Sequence, residues 1–404
     1  MSTFSARGRS RLGLWVLTAT HVASDFYAGA VAALLPYFVI QAQYSYAAVA
    51  GITLAATAFS SVAQPMFGYL SDRYGLRWMS LAGLLAAGVG IALSGIVADS
   101  YLAVWIVVAI SGIGVAAYHP AATMEARELG GGTSASMSLF SVGGNLGVAL
   151  APTAVIFVVG TFGLAGSGLL IIPAVVMGLV YVVVSWRHSF ASTVSVERVT
   201  AAAKSAIPDD WRAFIWLTVV LATWSVAYVG TSTFISLYSI QRFDVSTGVA
   251  SIALSVFPAA GAVGTFAGGW LADRFGRLRI VRTGYLLAVA STIAIVLAPS
   301  PVAIIICTAI LGASLFLPFA VQLTLSHSYL PNRIGVASGV TLGLTLSFGG
   351  LISPMLGSIA DQTSVRAVFM VIAALLAAGF ALSFVLRERT QNLTNLGKPP
   401  RRAV

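Results

Sequence analysis

The chain has 404 residues, of which 58% are hydrophobic and 8% charged, against roughly 25% charged in an ordinary soluble domain. A soluble fold with so few charges would expose apolar surface and aggregate, so composition predicts a protein of the lipid bilayer. The net charge of +10 does not point to nucleic acid, because the basic residues fall in short segments between apolar runs. Cys307 is the only cysteine, which excludes a disulfide framework and a cysteine-based metal cluster.

A helix needs about 20 apolar residues to cross a bilayer. Twelve runs qualify: 12–40, 46–70, 78–98, 101–124, 134–159, 163–185, 212–239, 247–271, 280–298, 301–326, 334–359 and 366–386. They are too long for barrel strands, and a helix satisfies its own backbone in lipid. The first run follows basic residues as a signal peptide would. It is too long for one and carries His21 and Asp25, so a retained helix is expected. Twelve spans put both termini on one side. Of the 22 Lys and Arg, all but Arg242 and Arg366 fall on that side, which predicts cytoplasmic termini and a multi-pass protein of the cytoplasmic (inner) membrane. The expected organisation is an all-α membrane protein of two six-helix bundles, 1–186 and 212–404. A cytoplasmic linker at 187–211 joins them, and a basic cytoplasmic tail ends the chain.

One short pattern occurs twice, 201 residues apart: Gly68-x3-Asp72-Arg73-x-Gly75 and Gly269-x3-Asp273-Arg274-x-Gly276. It closes the second span of each half, so the chain is a duplicated unit, and duplicated membrane domains bind substrate between their halves. Glycines permit a tight turn and close helix approach. Asp72 and Asp273 suit the exposed amides at a neighbouring helix start. Arg73, Arg77, Arg274 and Arg277 are placed to pair with acids such as Glu125 and Glu128, and Arg127 reads as a further gate charge. Such a latch would hold the cytoplasmic face closed; the other reading is that these loop charges only set topology. Spans, duplication, linker and repeated loop together resemble the major facilitator superfamily over essentially the whole length. The resemblance implies that fold and a secondary transporter.

Asp25 is the one acid deep in a span, and His21 precedes it by four residues, on the same helix face. A charge there costs roughly 2.5–3.5 kcal/mol. Burial disfavours the ionised carboxyl and a nearby imidazolium favours it, a balance suited to proton exchange. His119-Pro120 in the fourth span is a second candidate proton relay. In the fifth span Gly143-x3-Gly147-x3-Ala151-Pro152 lines small residues on one face before a proline, which predicts tight helix packing with a bend. Its spacing is also similar to the motif of drug/proton antiporters in the superfamily. Asn145 and Gln322 could each bond a ligand or a neighbouring helix. Trp224 and Tyr228, four apart, could wall a cavity, with Tyr27 a further aromatic candidate.

His21-x3-Asp25, His119-Pro120 and Ser138-Leu139-Phe140-Ser141-Val142-Gly143-Gly144-Asn145 together resemble the fosmidomycin-resistance subfamily of exporters. This chain departs at Ala121, where that subfamily commonly has Glu. The resemblance implies proton-coupled efflux of a small drug-like or metabolite substrate by alternating access. Proton-coupled import of a nutrient uses the same fold, and a non-transporting membrane sensor is the alternative from another class. No Gly-Lys-Ser/Thr phosphate loop is present. The expected protein is therefore not an enzyme, needs no cofactor or metal, and works in the bilayer as a monomer with protons and a small molecule as partners.

Overall fold

A computed structural model describes residues 2–74, 78–130, 134–188 and 207–389. The N-terminal helices are α1 (Ser2–Gln41), α2 (Tyr46–Tyr74), α3 (Trp78–Ser94), α4 (Tyr101–Leu129), α5 (Ser134–Phe162) and α6 (Ile172–His188). A 3-10 segment, Leu164–Ile171, leads into α6. The C-terminal helices are α7 (Trp211–Phe243), α8 (Thr247–Phe275), α9 (Arg277–Leu297), α10 (Pro301–Phe316), α11 (Phe319–Tyr329), α12 (Ile334–Gln362) and α13 (Val365–Leu382). The described residues contain no strand, as lipid demands of a chain that must pair its backbone internally. Side chains also mark the helix starts: Ser100, Asp210, Ser246, Ser300 and Ser364 each accept a backbone N–H from the first turn. Gly276 ends α8 at φ +95°, a conformation suited to glycine.

Nine helical segments among the described residues are long and apolar enough to cross a membrane. Two of them are composite. Leu164–Ser185 joins the 3-10 segment to α6, and Pro301–Tyr329 joins α10 to α11. The run expected to be continuous at 301–326 breaks at Leu317–Pro318, because proline has no N–H with which to extend α10. Most of the expected linker, 189–206, lies outside the described residues, as do Arg77 and the tail from 390. The end of the linker is tied to the second group of helices. Asp210 caps α7, while Asp209 pairs with Arg333 at 3.5 Å and accepts from the Asn332 N–H at 3.0 Å.

The closest seam in the N-terminal group runs between α1 and α5, which lie parallel. A Cβ at Gly143 would meet the Thr18 carbonyl, one at Gly147 the Val22 carbonyl and Phe26 nitrogen, and one at Gly29 would meet Val148 and Ala151. The small residues of the fifth span therefore bring two backbones together.

Among the described residues, the two groups of helices touch toward one end. The start of α2 meets the end of α12, where the Asp361 carboxylate accepts from Tyr46 N–H and Ala47 N–H, each at 2.8 Å. Nearby, Thr247 at the start of α8 donates to the Tyr37 hydroxyl at 3.2 Å. Further along the same seam Thr233 donates to Thr53 at 3.3 Å, and Gly350 faces Thr57. The start of α7 and the segment after α13 lie at the opposite end, where Asp210 N–H bonds the Tyr329 carbonyl and Tyr329 bonds the Arg387 carbonyl. Because the end of α1 is beside the start of α8, α1 also begins at that opposite end.

Asp361 caps α2 at an exposed site, so its loss is worth about 1 kcal/mol, roughly a fivefold shift in an equilibrium. Asp361→Ala will lengthen the distance between spin labels at positions 43 and 363 in a larger share of molecules; an unchanged distribution would show that the cap does not hold this end shut. Gly147→Val will overpack the α1–α5 seam at a cost of about 1–3 kcal/mol, read as a lower melting temperature in detergent.

Candidate functional site

The α1–α5 seam builds an ionisable cluster. Asp25 Oδ2 lies 3.3 Å from His21 Nε2, and Oδ1 lies 3.1 Å from His119 Nε2 on α4. The two Nε2 atoms are 3.4 Å apart. His21, Asp25 and His119, in that order, have side chains 8%, 18% and 26% exposed, so the triangle is largely shielded but open on the His119 side. Each ring is braced from behind. His21 Nδ1 meets the Phe140 carbonyl at 2.7 Å, and His119 Nδ1 meets the Val115 carbonyl at 2.8 Å. The His21 ring also stacks on Phe140, with centroids 4.1 Å apart.

Those two carbonyls fix the chemistry. A carbonyl oxygen can only accept, so both Nδ1 atoms carry hydrogen. A neutral ring then presents a bare Nε2 to Asp25. With both rings neutral and the carboxyl ionised, three lone-pair atoms would face one another across 3.1–3.4 Å. The triangle must therefore hold at least one proton, or another cation, among Nε2, Nε2 and the carboxylate. The same donor atoms all lie within 4.8 Å of one another, close enough to share a metal ion. Gly144 keeps the space over them clear: a Cβ there would strike Asp25 Oδ2 and come within 2.8 Å of His21 Nε2.

The other expected site residues divide. Asn145 is exposed and stands 7 and 11 residues before Pro152 and Ile156, hence on one helix face with them. Ile156 lies against Gly248 of α8, so Asn145 faces the second group of helices where the two have diverged. Tyr228 is partly exposed and lies within electrostatic reach of Asp25. Its ring stacks on Trp224 at 5.2 Å and meets Phe316 edge-on at 5.5 Å. Trp224 itself is sealed behind it, 1% exposed, with its indole N–H on the Leu315 carbonyl at 2.5 Å. Tyr27 is fully buried, donating to the Leu170 carbonyl and accepting from Ala174 N–H. Gln322 is equally buried and donates to Tyr285 at 3.2 Å. Tyr27, Trp224 and Gln322 are thus packing residues in this state, facing neighbours within their own helix group.

The gate charges are also arranged differently from expectation. Arg277 pairs with Glu388 at 3.4 Å and donates to the Arg389 carbonyl at 3.1 Å, both within the C-terminal group. Glu125 is buried and accepts from Ser80 and Tyr181, with hydroxyl distances of 2.7–3.0 Å. Arg127, Asp273 and Arg274 are exposed, and Arg274 lies over the Trp270 and Phe275 rings. Asp72 and Arg73 lie on the last turn of α2, their side chains outside the described ones. Sequence reading missed Asp361 because an acid near a helix end shows nothing of the helix start it will meet. It missed the Glu125–Tyr181 pairing because the partners are 56 residues apart.

The model of the Major Facilitator Superfamily matches residues 17–354. The chain is 28% identical over 394 residues to the fosmidomycin resistance protein of Escherichia coli (strain K12), covering 95% of each. It is 29% identical over 381 residues to the uncharacterized MFS-type transporter YfnC of Bacillus subtilis (strain 168), covering 92% of each. Among solved structures, a bacterial homologue of the human lysosomal transporter Spinster, inward-facing and occupied, superposes with a TM-score of 0.73 at 16% identity. That match covers 93% of this chain and 96% of the other. With its family model spanning most of its length over an all-helical, membrane-crossing fold, the chain belongs to the major facilitator superfamily: a multi-pass transporter, not an enzyme, that moves a small molecule by alternating access.

Proposed function

We propose that the chain is a proton-coupled exporter of a small drug-like or metabolite substrate in the cytoplasmic membrane, crossing it twelve times with both termini inside. The observation that carries this reading is the triangle of His21, Asp25 and His119, whose braced rings leave room for an exchangeable proton beside a buried carboxylate. Charge asymmetry supports the orientation. With the termini inside, contacts such as Asp361–Tyr46 close the outer end, so the described state opens inward. The likeness to the fosmidomycin resistance protein, at 28% identity, supports efflux of a toxic compound.

In this cycle substrate enters from the cytoplasm between Asn145 and the Tyr228–Phe316 wall. Proton release from the triangle on that side accompanies its binding, and reprotonation from outside accompanies its release. Each charge carried down the membrane potential supplies about 2.3 kcal/mol per 100 mV. The α2–α12 pair supplies the gates. Thr57 faces Gly350 and Tyr46 meets Asp361. Extending that antiparallel register puts Asp72 opposite position 335, at the start of α12. Asp361 then caps α2 in the inward-open state and Asp72 caps α12 in the outward-open one.

Purified protein in liposomes holding a pH-sensitive dye tests the coupling. A gradient of a transported compound, fosmidomycin being the first tried, will drive proton movement in the wild type and only leak in Asp25→Asn. Proton movement surviving in that variant would remove the triangle from the proton path. Asn145→Ala will raise the substrate KM about fivefold, the worth of about one hydrogen bond, with substrate-driven proton stoichiometry unchanged. Expression in a sensitive host will raise resistance to the compound; sensitisation instead would establish import.

A further inference from the structure

We propose that the His21–Asp25–His119 triangle is also a divalent transition-metal site of the Zn²⁺ type, with two imidazole Nε2 atoms and an Asp25 oxygen as protein ligands. Three observations carry it. The first is size. Bonds of about 2.0–2.1 Å in a tetrahedron give ligand–ligand edges of about 3.3–3.4 Å. The observed edges are 3.4 Å between the nitrogens and 3.3 and 3.1 Å from them to the carboxylate. The nitrogen–nitrogen edge is long for a hydrogen bond and right for a shared ion.

The second is the back of each ligand. A metal-bound imidazole almost always donates its other N–H to a carbonyl or carboxylate, which fixes the tautomer and ring orientation. Both rings do so here, to Phe140 and Val115, leaving both Nε2 lone pairs on the Asp25 side. The third is an unmet need. Asp25 Oδ1 is buried and makes no hydrogen bond although it stands 3.1 Å from His119 Nε2. An ion inside the triangle would satisfy it. The His119 side, where that side chain is 26% exposed, leaves the fourth position to water or an exchangeable ligand. Two imidazoles with one carboxylate suit Zn²⁺, Co²⁺ or Ni²⁺, whereas Ca²⁺ and Mg²⁺ demand six or more oxygen ligands.

Metal binding stands on this geometry alone. Its consequence for transport rests on the function proposed above: an ion in the triangle occupies the place of the exchangeable proton, so micromolar Zn²⁺ arrests substrate-driven proton movement. The test uses full-length protein purified through a histidine-free tag and titrated with Co²⁺, whose visible spectrum reports coordination number. One equivalent will give the intense absorption of four-coordinate Co²⁺, and Zn²⁺ will displace it. Asp25→Asn and His119→Gln will each weaken binding by at least about 100-fold, beyond the 10–100-fold typical of losing an outer-shell partner. A variant lacking both His188 and His327 will bind as the wild type does. Gly144→Val will lose the four-coordinate spectrum, and its melting temperature will show whether it folds.

The proposal is overturned by a weak six-coordinate spectrum, by binding that Asp25→Asn leaves intact, or by no binding at millimolar Co²⁺. The two readings fail separately. Asp25-dependent proton movement without any cobalt signal sinks the metal site alone. A cobalt signal with proton movement indifferent to Asp25→Asn sinks proton coupling alone.

Discussion

A carboxyl group inside a membrane-spanning helix sets the terms for everything around it. Asp25 cannot be exposed to lipid without a cost of roughly 2.5–3.5 kcal/mol, and lone-pair neighbours alone would worsen its position. Its environment is built from three helices at once: His21 comes from its own helix, His119 from α4, and the Phe140 carbonyl behind His21 from α5. None of these distances holds unless α1 and α5 lie backbone to backbone. The small residues at 143, 144 and 147 are the condition for that contact. Packing motif and ionisable cluster are therefore one device.

The C-terminal group of helices makes the asymmetry of this device plain. In the C-terminal group α7 and α12 pack as α1 and α5 do, and Gly349 lies against Ser225 and Val229. There the polar contact is a neutral one, Gly349 N–H to the Ser225 hydroxyl at 2.7 Å. Next to it stand Trp224 and the aromatic wall of Tyr228 and Phe316. One group of helices thus carries ionisable chemistry and the other an apolar, aromatic surface. Among the described residues the ionisable groups of the triangle are confined to one side and the aromatic rings of this wall to the other.

Much of this was legible in the sequence, for identifiable reasons. The nine membrane-length helical segments among the described residues coincide with hydrophobic runs of the sequence. His21 and Asp25 could be paired on sight because a spacing of four puts side chains on one helix face. The spacing of Gly143, Gly147 and Ala151 announced a close helix contact without saying with which helix. Contacts across tens of residues left no local signal: His119 reaching Asp25, Tyr181 reaching Glu125, Asp361 reaching Tyr46. Tyr27, Trp224 and Gln322 show the converse limit. A polar or aromatic side chain in a span has two ways to be satisfied, by a ligand or by a neighbouring backbone, and composition cannot separate them. Here Leu170, Leu315 and Tyr285 supply the partners.

Charge pairing explains how such a molecule can rock without falling apart. The pairs Arg277–Glu388 and Arg333–Asp209 and the Glu125–Tyr181 bonds all stay within one group of helices. They move as rigid-body internals and do not resist rocking. The Asp361 carboxylate is different, because it spans the two groups through two backbone amides at a helix start. A helix start is a partner of fixed position but modest strength, about 1 kcal/mol at an exposed site. A latch of that size holds one state and yields to thermal motion once binding tilts the balance by a similar amount. A buried, fully paired salt bridge between the groups would cost several kcal/mol to break and would hold the transporter in one conformation. Alternating access needs gates that are weak individually and exclusive in pairs. The Asp361 carboxylate on the α2 start is weak in that sense, a cap of about 1 kcal/mol that joins the two groups at one end.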